Sequence, residues 1–213
     1  MEEAQILQLW KLYDAKVEQS LSINKKLLKD SLERKAASAL RSLKPVRWTG
    51  IIVGVLWCLA IGVIVVSSWG FTTIYFKASL IINFIITAIA IGLYIYHLVL
   101  LHQFDNSQQV VEAQQKLVQL QESNLRTLGI LLLQLPVYST WFITDEWIQN
   151  SPSTFWGIQM PIVLIQTWIG IWLFRNLNYK NYNKKWFQWF VSKGEFGRIQ
   201  KAMNFLKEVE EIS

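Results

Sequence analysis

"WTGIIVGVLWCLAIGVIVVSSW" (Trp48–Trp69) has no charged residue and a tryptophan at each end. About 20 apolar residues are needed for a helix to cross a hydrocarbon layer of about 30 Å. Tryptophan is favoured where that layer meets water. The stretch therefore reads as a membrane span, and it sets the class of the whole chain. Three more follow: Ser79–Leu101, Thr127–Thr144 and Phe155–Phe174. The last two are less apolar, but Trp141, Trp147, Trp156 and Trp172 stand where interfacial aromatics are expected. Composition agrees, because 52% of the 213 residues are hydrophobic with glycine left out, more than a soluble domain usually carries. The predicted fold is all-α. It is a polytopic membrane protein with four transmembrane helices (residues 46–175), flanked by cytoplasmic amphipathic helices (residues 1–45 and 176–213).

Charge gives the orientation. Ten of the 21 Lys and Arg precede Trp48, and eight follow Phe174. Lys116 and Arg126 lie between spans two and three, and Lys77 is alone on the opposite side. Basic loops stay in the cytoplasm, so both termini and the central loop are expected there. Topology thus accounts for the net charge of +6, and no nucleic-acid partner is expected. The first 45 residues are polar and charged, unlike a cleaved leader. Cys58 is the only cysteine, so there is no disulfide or thiol pair.

Three polar segments carry apolar stripes at spacings of three and four, the period of one helix face. In residues 1–45 the stripe runs through Ile6, Trp10, Tyr13, Val17, Leu21, Leu28, Leu32, Ala36, Ala39 and Leu43, with Pro45 ending or redirecting the helix. The loop at 107–126 repeats the pattern in Val110, Ala113, Leu117, Leu120 and Asn124, after a weak capping box at Asp105 and Gln108. It is expected to run on into span three. Beyond span four, Trp186, Phe187, Trp189 and Phe190 alternate with Lys184 and Lys185, a mix suited to anchoring in lipid headgroups. Phe196, Ile199, Met203, Leu206 and Val209 then line a last helix. Two readings compete. The stripes either pack on one another as a small bundle, or one of them receives a partner helix. The residues singled out for either role are Val17, Leu21, Leu28, Leu32, Val110, Leu117 and Leu120.

Within the spans, polar side chains need partners. Gln134 and Gln166 are predicted at a similar depth on antiparallel neighbours, where their amides would hydrogen-bond and fix register. Tyr138, Ser139, Thr140 and Thr167 would join them. Pro136 and Pro161 are predicted kinks, each leaving a carbonyl one turn back without its donor. No Asp, Glu, Lys or Arg lies inside the four spans, and only His97 is ionisable there. A proton-coupled exporter would need a membrane carboxylate, a thiol oxidoreductase would need a second cysteine, and a haem protein would need His on facing helices. No phosphate-binding glycine loop or hydrolase motif occurs. No catalytic residue, metal or cofactor is expected.

Through "YDAKVEQSLSINKKLLKDSLERKAASALRSLKP" (Tyr13–Pro45) and "QLPVYSTWF" (Gln134–Phe142), the chain resembles a group of small uncharacterised bacterial four-span inner-membrane proteins. The resemblance implies four spans, a cytoplasmic helical region and a bacterial inner-membrane location, and brings no catalytic residues. The first functional expectation is a scaffold or regulator, whose cytoplasmic platform holds itself together, a second copy or a soluble partner. An anti-sigma-like anchor is the sharpest form of it. The alternative is an oligomeric transport or channel subunit lined by Asn83, Thr87, Tyr94, His97, Gln134, Tyr138, Gln159 and Gln166.

Overall fold

The computed structural model describes the backbone of residues 2–70, 72–105, 110–178, 181, 184–191 and 194–212. It describes their side chains except at 2–9, 105, 190 and 191. The predicted capping box, Ile6 of the first stripe and the side chain of Phe190 lie outside the described residues.

Those residues form helices and the turns between them. α1 (Glu2–Arg41) and α2 (Lys44–Ser68) are separated by two turn residues, so Pro45 redirects the helix and does not stop it. Proline in a first helical turn is tolerated because its missing N–H has no partner to lose there. α3 (Ile74–Asp105) turns back, and α4 (Val110–Leu132) returns beside it. The short helices α5 (Leu135–Ser139), α6 (Asp145–Asn150) and α7 (Pro152–Thr154) follow, with a π-helical turn at Phe155–Gln159. α8 (Met160–Asn176), α9 (Lys185–Val191) and α10 (Glu195–Ile212) complete the order.

Three helical stretches are long and apolar enough to cross a membrane: the run ending in α2 at Ser68, Ile74–Phe104 and Pro152–Asn176. They mark a multi-pass membrane protein. The expected third span, Thr127–Thr144, is not one continuous helix. α4 does run on from the polar loop, as expected, but only to Leu132. There the bonding tightens, with the Leu133 and Gln134 N–H groups donating three residues back to Ile130 and Leu131. Pro136 causes this, because it cannot donate to Leu132 and its ring crowds that carbonyl. Pro161 acts differently. The π-helical turn lies directly before it, with the Met160 N–H donating back to the Phe155 carbonyl, which widens the helix where the ring needs room.

At the polar end, the C-terminal part of α1, the end of α3, the start of α4 and α10 meet in a four-helix head. Ala36, Leu40, Leu43, Leu101, Leu117, Leu120, Ile199 and Leu206 form its core. Every stripe residue of the last helix, from Phe196 to Val209, is buried. For this part of the chain, the self-packing reading is the one the structure adopts.

Along the apolar length, α2 packs on α3, and α3 and α8 both pack on α4. Glycine permits these close approaches. A Cβ on Gly54 would stand 2.9 Å from Ile91 Cγ1, and one on Gly129 would stand 3.3 Å from the Phe174 Cα. Gly92 has nothing within 4 Å of the same position. Gly54→Leu is therefore expected to cost about 1–3 kcal/mol by prising α2 from α3. Gly92→Leu should change the unfolding midpoint of the detergent-solubilised protein little, and equal effects at both sites would contradict this packing.

Candidate functional site

α1 is one helix in two environments. Leu28 and Leu32 are one turn apart on the same stripe, yet Leu28 is 50% exposed and Leu32 only 4%. From Leu32 inward, α1 packs antiparallel to α10, with Ser42 accepting from Arg198 at 3.0 Å near the inner end. Outward of Leu28 the helix projects past the head. Trp10, Tyr13, Val17, Leu21 and Leu28 are all exposed, with Trp10 at 66%. Lys11, Lys16, Lys25 and Lys26 lie along this arm with Asp14 and Glu18. Of the predicted stripe residues, Leu32, Leu117 and Leu120 are buried in the head, and Val110 packs against it. Val17, Leu21 and Leu28 remain uncovered.

Where the arm's helix enters the apolar layer, the structure holds a charge that the sequence reading counted only toward topology. Arg47 is buried to 1% exposure. Its guanidinium lies 2.6 Å from Glu195 of α10 and donates at 2.9 Å to Asn124 of α4. Its carbon centre sits 5.1 Å from the Tyr94 ring centre on α3. One side chain of α2 thus touches α3, α4 and α10, and joins the head to the membrane layer. The signal for it was a charge two residues after a proline and directly before a span, opposite polar residues on three other helices.

Deeper, the buried face of α3 carries a line of polar residues that pair with α4 and with the two ends of α5. His97 Nε2 and Ser123 Oγ are 2.8 Å apart. Gln134 Nε2 donates to Thr87 Oγ1 at 2.8 Å, and Ser79 Oγ meets Thr140 Oγ1 at 2.7 Å. The expected Gln134–Gln166 pair is not formed. Gln134 stands at the break before Pro136 and is turned toward α3. Gln166 instead accepts from Ser139 at 2.6 Å, and Gln159 donates to the Ser139 carbonyl. Thr167 bonds its own helix at Val163, and Tyr138 packs its ring beside Trp141. The Leu132 carbonyl, left without its usual donor, faces Gly170 of α8, where a Cβ would stand 3.4 Å away.

The aromatic segment is divided. Phe187 is fully buried with Leu125, Leu177 and Phe196, so it locks α9 to the protein and is not available to headgroups. Trp186 packs against Trp172 with ring centres 5.0 Å apart and the rings tilted by 48°. Trp189, Lys184 and Lys185 are exposed, as an interfacial anchor requires. A cavity of about 640 Å³ between α2, α3 and α4 has Thr87, Tyr94, Gln134 and Tyr138 among its lining. The rest of that lining is mainly aliphatic.

Searches against protein-family models, curated proteins and solved structures find no match.

Arg47→Met would leave Glu195 without its cation inside the joint. The expected cost is about 2–4 kcal/mol, below the full range for a buried pair because Glu195 is partly exposed. Arg47→Met with Glu195→Met should recover much of that loss in thermal unfolding. A double variant as unstable as the sum of the singles would mean that the two groups are not coupled.

Proposed function

We propose that the protein is an inner-membrane scaffold that offers the arm of α1 to a soluble cytoplasmic partner. The observation that carries this reading is the change of environment along one helix: buried from Leu32 inward, exposed from Leu28 outward. An apolar stripe on a helix gains about 25 cal/mol for each Å² removed from water. Leaving Trp10, Tyr13, Val17 and Leu21 exposed forgoes that gain unless something else covers them. Over residues 1–28 four lysines stand against four acids, so the arm calls for an apolar groove in its partner and for no net charge of either sign. Four membrane crossings, the third broken at Leu133 and Gln134, would place both ends in the cytoplasm, as the basic residues indicate. Sequestering a transcription factor in an anti-sigma-like manner is one form this would take. It is a binding role, with no reaction assigned to the chain.

The transport reading has one observation in its favour. Asn83 is fully buried, and both polar atoms of its side chain lack a partner among the described residues. Buried amides without partners occur where water or a solute passes. Against this, Gln134 and Gln166 are already engaged in pairs, and the cavity beside them is mostly aliphatic. Gln134→Leu separates the two ideas. A scaffold loses about 0.6–2 kcal/mol of stability and keeps its partner, whereas a transporter loses flux while still folded.

The arm is tested directly by placing a photo-crosslinking residue at Leu21 in cells. The expected product joins the protein to a soluble protein, and it disappears when Val17→Asp and Leu28→Asp are added. A crosslink only to a second copy would replace the partner by a homo-oligomer, and crosslinks only to lipid would remove the docking role. Deleting residues 1–28 should abolish capture and leave the head's unfolding midpoint unchanged, because the core begins at Leu32.

A further inference from the structure

At the boundary between head and membrane layer, α3 and α8 each pack on α4 and leave a groove between them. The groove encloses about 770 Å³. Arg126 of α4 and Arg175 of α8 line it from two sides, with Glu122 as its acid. Neither arginine has a carboxylate partner among the described residues. Leu93, Tyr96 and Phe174 form the apolar wall, and Phe174 is partly exposed. Arg126 lies one turn from Ser123, whose hydroxyl meets His97 of α3, and Arg175 is at the last turn of α8. The basic groups therefore sit at the end of the apolar helices, at the depth of lipid headgroups, and the wall leads from them into the hydrocarbon.

We propose that this groove binds one anionic phospholipid, its phosphate held between Arg126 and Arg175 and an acyl chain lying along Leu93, Tyr96 and Phe174. Guanidinium forks match phosphate oxygens in geometry and charge. Two arginines against one glutamate leave a net positive cradle, which favours a lipid of net negative charge over a zwitterion. Basic pockets between membrane helices on the cytoplasmic side suit such headgroups. The apolar wall is what distinguishes lipid from free phosphate, since a soluble anion gains nothing from it.

The test is native mass spectrometry of the full-length chain in detergent, titrated separately with phosphatidylglycerol, phosphatidylcholine and glycerol phosphate. Phosphatidylglycerol is expected to bind about tenfold more tightly than phosphatidylcholine, with glycerol phosphate not retained; tenfold corresponds to about 1.4 kcal/mol. Arg126→Gln with Arg175→Gln should remove that preference, while Lys201→Gln with Lys207→Gln, changed on exposed α10 positions, should keep it. Equal retention of both lipids, or glycerol phosphate bound as tightly as phosphatidylglycerol, would overturn the proposal. Should the arginine variants fail to fold, phosphatidylglycerol with a photoreactive acyl chain is applied to the unaltered protein. Labelling concentrated on the peptides of Tyr96 and Phe174 is the expected result, and labelling spread over the outer face of α2 would refute it.

Discussion

Polar side chains surrounded by hydrocarbon must find partners on neighbouring helices, and α3 is where this chain meets that demand. Ser79, Thr87 and His97 lie on its buried face, and each meets a group on α4 or in the segment that follows it. Hydrophobic burial cannot hold membrane helices together, because lipid tails are as apolar as leucine. Close packing and these polar pairs must do it instead. Gly54 brings α2 against α3 at Ile91 and Thr87. The broken segment after α4 is also tied in, since Gln134 emerges at the break and reaches Thr87.

The break and its bonding belong together. A helix interrupted at Pro136 exposes backbone carbonyls that water cannot reach. Gln159 donates to the Ser139 carbonyl, and the Ser139 hydroxyl in turn engages Gln166. The two glutamines of the fourth apolar stretch thus serve the irregular segment, while the glutamine of the third serves α3.

Much of this layout was legible from periodicity and charge. The apolar helices, the run of α4 on from the polar loop to Leu132 and the buried face of α10 all follow from residue spacing, because a helix repeats every 3.6 residues whatever it packs against. Partner choice was not legible. Gln134 and Gln166 share a depth, but depth says nothing of rotation about the helix axis, and Pro136 alters that rotation. Arg47 escaped notice for a related reason. Its role depends on Asn124 and Glu195, which are 77 and 148 residues away in sequence and meet it only after the head has assembled. Phe187 looked like a lipid anchor by composition, and it became a core residue because α9 folds back toward Leu125 and Phe196.

The near-continuity of α1 and α2 sets an upper limit to a height. Counted along the helices from Trp48, the arm between Leu28 and Trp10 reaches at most about 30–57 Å at 1.5 Å per residue. A protein seated there would keep its freedom to diffuse within the plane of the membrane while losing it along the normal. Its encounters would be restricted to a thin shell above the bilayer, and its distance from anything deeper in the cell would be set by the length of a single helix.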